Sequence, residues 1–145
     1  MDYSNINEYP VAIEFFEEGG PVASKYKYLT HIRVFSKTNK IYLSYKEARE
    51  FISPKPRLVV SNEKELPLDV YKDFLNDLIS HKVDELNKIF PNAKANGKAN
   101  FFSFQLGNVF QIRFEYSNLD KETAEFKPYE NILQIMRNLL FSNMR

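Results

Sequence analysis

Cysteine and tryptophan are absent from this 145-residue chain, glycine occurs four times and histidine twice. Without cysteine there is no disulfide framework, no thiolate metal site and no cysteine nucleophile. So few glycines leave no phosphate-cradling loop, and nothing matches a nucleophile elbow or a zinc-protease helix. No apolar run approaches the roughly 18 residues that a membrane span needs. Residues 1–5 have neither the basic nor the apolar region of a secretory signal. These absences predict a cytoplasmic protein that avoids membranes, uses no cofactor and carries no catalytic motif.

What the chain does have is core material and sorted charge. Hydrophobic residues make up 43% of it, with 13 Phe and 9 Tyr, enough for one α+β domain over 1–145. The net charge is only +1, yet residues 1–23 hold acids and no base, 24–57 are strongly basic, and 58–90 turn acidic again. Field strength depends on where charges sit, so a basic hairpin and an acidic helix are the two candidate recognition surfaces. Abundant Lys, Asn, Ile, Phe and Tyr fit an AT-rich genome, and suggest a bacterial or phage accessory protein.

Period-2 alternation marks the strands. Residues 11–16 are rich in β-formers and end at a turn begun by Glu17-Glu18-Gly19-Gly20-Pro21. Over 25–36, Tyr26, Tyr28, Ile32 and Val34 share one face, while Lys25, Lys27, His31 and Arg33 share the other. A polar turn at 37–40 leads to a returning strand with Ile41, Leu43 and Tyr45 inward, so 25–45 reads as a hairpin. Residues 46–52 suggest one or two helical turns and 57–61 a short strand. Phe102, Phe104 and Leu106, then Phe110, Ile112, Phe114 and Tyr116, give the inner faces of two more strands, 101–106 and 109–117, joined by a tight turn at Gly107-Asn108.

Two apolar stripes at helical spacing predict the helices. Tyr71, Phe74, Leu75, Leu78, Ile79, Val83, Leu86, Ile89 and Phe90 span a helix over 67–90, with Pro67 in its first turn and Pro91 stopping it. Tyr129, Ile132, Leu133, Met136, Leu139 and Leu140 span another over 128–143. The expected fold is a two-layer α+β sandwich: a mostly antiparallel sheet of five to six strands with both helices on one face.

The function expected is non-enzymatic docking of a protein partner, as in an immunity-like inhibitor that neutralises a basic toxin or nuclease. Asp69, Asp73, Asp77 and Asp84 on the polar side of the long helix would steer such a partner, since like charges one turn apart repel and a cation relieves them. Phe141, off the apolar stripe of the last helix, would anchor it or a homodimer contact. The alternative is single-stranded nucleic-acid binding through Lys25, Lys27, His31, Arg33 and Arg113, with Gln105, Gln111, Lys94 and Lys98 alongside and Tyr42 and Phe101 as stacking rings. The same cations with His31 could serve a metal-free ribonuclease. His81 with Asp77, or with Glu85, at helical spacing makes a pair of metal ligands that would need a third from elsewhere, and no metal site is expected.

Overall fold

A computed structural model describes residues 3–18, 28–52, 55–83, 100–115 and 127–143. The elements run β1 (Val11–Glu18), β2 (Tyr28–Lys37), β3 (Lys40–Ile52), β4 (Lys55–Leu66), α1 (Leu68–Ser80), β5 (Phe101–Leu106), β6 (Phe110–Glu115) and α2 (Lys127–Asn143). The strands form one six-stranded open sheet in the order β4-β3-β2-β1-β5-β6, with every neighbouring pair antiparallel. β1 to β4 make a meander that walks outward from the middle of the sheet. The chain then passes through α1, and β5 pairs with the other side of β1.

Alternation decides which side chains meet. Val11, Ile13 and Phe15 of β1 lie level with Val34 and Ile32 of β2 and with Leu106, Phe104 and Phe102 of β5. With Ile41, Leu43, Leu66, Ile112 and Phe114 they form a single hydrophobic cluster, and the buried residues of α1 and α2 join it. Phe16 and Ala48 are buried as well, but they project from the opposite side of the sheet and lie outside that cluster. Burying a Phe or Leu side chain contributes about 1.5–3 kcal/mol, so this cluster is the main support of the fold.

α2 is fixed to its face at three points. The Tyr129 ring meets Phe114 edge-on at 4.8 Å, Arg137 lies 5.6 Å over the Phe15 ring, and Lys64 Nζ donates to the Asn143 carbonyl at 2.6 Å. The last contact puts a cation on the orphan carbonyls at a helix C-terminus, where it is favoured. The helix matches the expectation from its stripe almost residue for residue.

α1 is shorter than its apolar period implies. It ends at Ser80, where the expectation was a helix over 67–90, and Pro67 stands just outside it as the N-cap residue. His81 donates its backbone N–H to the Asp77 carbonyl at 3.1 Å, and Lys82 donates to that of Ile79 at 2.9 Å. Lys82 takes a left-handed φ of 59°, which breaks the helical path although Val83 still reaches the core. Hydrophobic spacing records burial and is blind to that one backbone turn. Asp84 and the other predicted helix residues up to 90 lie outside the described residues, as do Lys94 and Lys98.

Three strand boundaries also move. Residues 46–52, expected as helical turns, extend β3, because β2 pairs with its backbone as far as Arg49 and β4 as far as Ile52. Two ladders outweigh the few tenths of a kcal/mol per residue by which Lys, Glu, Ala and Arg favour helix. β4 runs on through the polar, exposed 61–65 to the buried Leu66, as an edge strand with wet side chains can. The β5–β6 turn is a three-residue loop, 107–109, closed by Val109 N–H to the Leu106 carbonyl at 3.0 Å, not the two-residue turn expected at Gly107-Asn108. Gly107 holds a φ of 53°, and a Cβ there would stand 3.4 Å from the Tyr9 backbone.

Candidate docking surface

The face opposite the hydrophobic cluster is where the sequence-predicted basic residues come together. Register places them in rows that cross the strands from β4 to β6. One row reads Glu63, Ser44, Arg33, Glu14, Ser103, Arg113, and the next reads Glu65, Tyr42, Phe35, Ala12, Gln105, Gln111. A third begins Ser61, Lys46, His31, Phe16, Phe101. His31, Arg33, Tyr42 and Arg113 therefore share one surface, as expected. Lys25 and Lys27 lie outside the described residues.

Charge alternates across this face. Arg33 sits between Ser44 and Glu14, Glu63 and Glu65 line the β4 edge, and Lys40 pairs with Glu65 at 3.5 Å. His31 Nε2 and Glu14 Oε2 are 2.5 Å apart, meeting diagonally across β2 and β1. Carboxylates this near the cations dilute the positive potential that a polyanion would need.

The rings on this face are partners of each other and of the arginines. Phe101 stands between Phe16, stacked at 5.7 Å, and the Arg113 guanidinium, 4.0 Å from its centroid. Phe16 in turn meets the His31 ring edge-on at 5.9 Å. Arg33 lies 4.8 Å over Phe35, whose ring stacks beside Tyr42 at 5.7 Å. Cation–π contact is worth about 0.5–1 kcal/mol at exposed sites. Its structural effect is to hold two long side chains in defined positions.

Glu14 and Ser103 stand between the arginines in their row; in the next row the exposed Ala12 offers only a methyl group, and a hollow of about 300 Å³ bordered by both arginines opens over it. Arg33 and Phe35 form one wall, Gln105, Gln111 and Arg113 the other, with Glu14 and Ser103 at one end. Sequence reasoning missed Phe16, Phe35 and the Glu14–His31 contact. The signal was available for Phe16: two consecutive phenylalanines in an alternating strand must point to opposite faces.

The other proposed surface is arranged differently. Asp69, Asp73 and Asp77 are exposed one turn apart on α1, with Lys72 exposed among them. The Asp77 carbonyl, not its carboxylate, receives the His81 ring Nδ1–H at 2.9 Å and the Ser80 hydroxyl at 3.0 Å. Among the described residues no group of His, Asp and Glu is positioned to hold a metal ion. Phe141 is 55% exposed and borders a hollow of about 450 Å³ with Phe15, Ile32, Tyr45 and Arg137, whose lining includes nothing from α1. The aspartates thus do not line the recess that Phe141 borders.

No described helix is long and apolar enough to cross a membrane. Compared with models of known families, with curated proteins and with solved structures, the chain matches none of them.

Proposed function

We propose that this is a binding protein without catalytic activity, which docks a protein partner on the open face of its sheet. The observation that carries this reading is the pairing of Arg33 with Phe35 and of Arg113 with Phe101 on a face where cations and carboxylates alternate. Arginine and aromatic anchors surrounded by mixed polar groups are the composition of protein–protein hot spots. Single-stranded nucleic acid is the weaker fit. It needs ring faces open to bases and a run of cations along the backbone track, whereas Phe101 lies between Phe16 and Arg113. The acidic stripe of α1 would act in steering, as charge away from a contact changes association rate more than affinity.

Affinity purification from the native host tests this, using the wild type, an Arg33→Glu/Tyr42→Ala variant and an Asp73→Lys/Asp77→Lys variant. The expected result is one stoichiometric protein that the first variant loses and the second retains with slower association. Loss only with the aspartate variant would move docking to α1. Recovery of RNA or DNA, released steeply by salt, would replace the protein reading.

A further inference from the structure

We infer that the hollow over Ala12 receives an acidic, extended segment of the partner, with separate carboxylates taken by Arg33 and Arg113. This rests on the docking reading above and adds the chemistry of what is docked.

The hollow is rich in donors. Two guanidiniums, the carboxamides of Gln105 and Gln111 and the Ser103 hydroxyl border it. Its one carboxylate among the described residues, Glu14, already faces His31 at 2.5 Å. A segment entering here meets more N–H and O–H groups than acceptors, which suits carboxylates and backbone carbonyls.

The arginines are prepared for this role. Resting on Phe35 and Phe101, each guanidinium has lost part of its rotamer freedom before any partner arrives, so less entropy is lost on binding. Guanidinium also matches carboxylate in bidentate geometry, which lysine does not. Ala12 matters through its smallness. A larger side chain at this second position of β1 would fill the space that the segment occupies.

Spacing sets the pattern of the ligand. Arg33 and Arg113 share one row and are separated by β1 and β5, that is by three strand spacings or about 14 Å at the backbone. An extended chain advances about 3.3 Å per residue, so carboxylates about four residues apart span the two arginines. A segment lying across the strands in this way would end on the edge strand β6 and leave the β4 edge untouched.

The test uses the full chain and defined probes. A short threonine–glycine peptide with glutamates four residues apart is titrated against the isotope-labelled protein and followed by NMR, beside its glutamine counterpart and oligo(dT). The proposal expects saturable shifts at the Ala12, Ser103, Gln105 and Gln111 amides with the glutamate peptide alone. It also expects at least tenfold weaker binding for Arg33→Gln, Arg113→Gln and Ala12→Phe, each with an unchanged circular dichroism spectrum. Equal binding of the glutamine peptide, shifts confined to other surfaces, no binding, or tighter binding of oligo(dT) would each overturn it. An acidic peptide that fails while the native partner still loses affinity for Arg33→Glu/Tyr42→Ala sinks this inference and leaves the docking reading standing. A partner indifferent to that variant sinks the docking reading itself.

Discussion

The guanidinium of Arg113 on β6 lies 4.0 Å from the centre of the Phe101 ring on β5, and the other neighbour of that ring is Phe16 on β1. Three adjacent strands thus hand one contact to the next across the face that the hydrophobic cluster leaves open. This row stiffens the surface and also places a cation at a fixed height above it. A lone exposed arginine would sweep a wide volume. Held on a ring, it becomes part of a template.

The row predicts coupling between its members. In a double-mutant cycle with Phe16→Leu and Phe101→Leu, the interaction energy should be about 0.5–1.5 kcal/mol, the range for paired aromatics. Urea unfolding of the four proteins measures it. Strict additivity would mean that the rings merely sit near each other.

Tyr71 predicts a stabilising substitution. Its side chain is fully buried in α1, and its hydroxyl has no hydrogen-bond partner among the described residues. An unsatisfied buried polar group costs about 1–3 kcal/mol, so Tyr71→Phe should raise the urea midpoint by an equivalent of about 1 kcal/mol. A lower midpoint would contradict the burial argument.

The same residue sets a dependence on pH. Burial pushes the Tyr71 hydroxyl well above the ordinary tyrosine range, because the phenolate would be desolvated. Below a pH of about 10 the hydroxyl is neutral in folded and unfolded chains alike, so it adds no slope. Above that, the unfolded chain releases the proton and the folded chain retains it, so stability falls as pH rises. Between pH 9 and 11 the wild type should lose more stability than Tyr71→Phe, as read from denaturant midpoints across that range.

The β2–β3 turn predicts another gain. Thr38 and Asn39 both adopt positive φ, 53° and 64°, the pattern of a two-residue primed turn. A β-branched residue in that region carries about 1–2 kcal/mol of steric cost. Replacing the pair with Asn-Gly should raise the melting temperature without altering the hairpin register. Unchanged or reduced stability would show that Thr38 is held by contacts outside the turn.

Lys64 tests how α2 is anchored. Its ammonium donates to the carbonyl of Asn143, and removing it with Lys64→Met should cost about 0.3–1 kcal/mol, less at high salt. Amide exchange should quicken first in the last turn of α2. Exchange unaffected there would mean that the helix end is secured by its packing alone.

Much of the fold was legible because alternation and helical spacing are local signals. Ile32 with Val34, Ile41 with Leu43, and Phe102 with Phe104 revealed their inner faces through their neighbours, and the stripe from Tyr129 to Leu140 gave α2 nearly to the residue. Residues 46–52 misled for the converse reason. Their composition favours helix, and the ladders that override it come from β2 and β4. Lys82 misled because a single left-handed residue leaves no trace in a hydrophobic pattern. Of the candidate surface, Arg33, His31, Tyr42 and Arg113 could be assigned to faces from the sequence.

The sequence by itself determined which residues are inward and which are wet, since that follows from period and polarity along short stretches. Only the tertiary structure decided that Arg113 stands in the same row as Arg33, that Phe16 rather than Phe15 belongs to the outer face, and that Ala12, one row away, opens a hollow that both arginines border. Those relationships depend on strand order. β1 sits between β2 and β5, although 82 residues separate Glu18 from Phe101 in the chain, and residue chemistry along one strand carries no record of which strand will lie beside it.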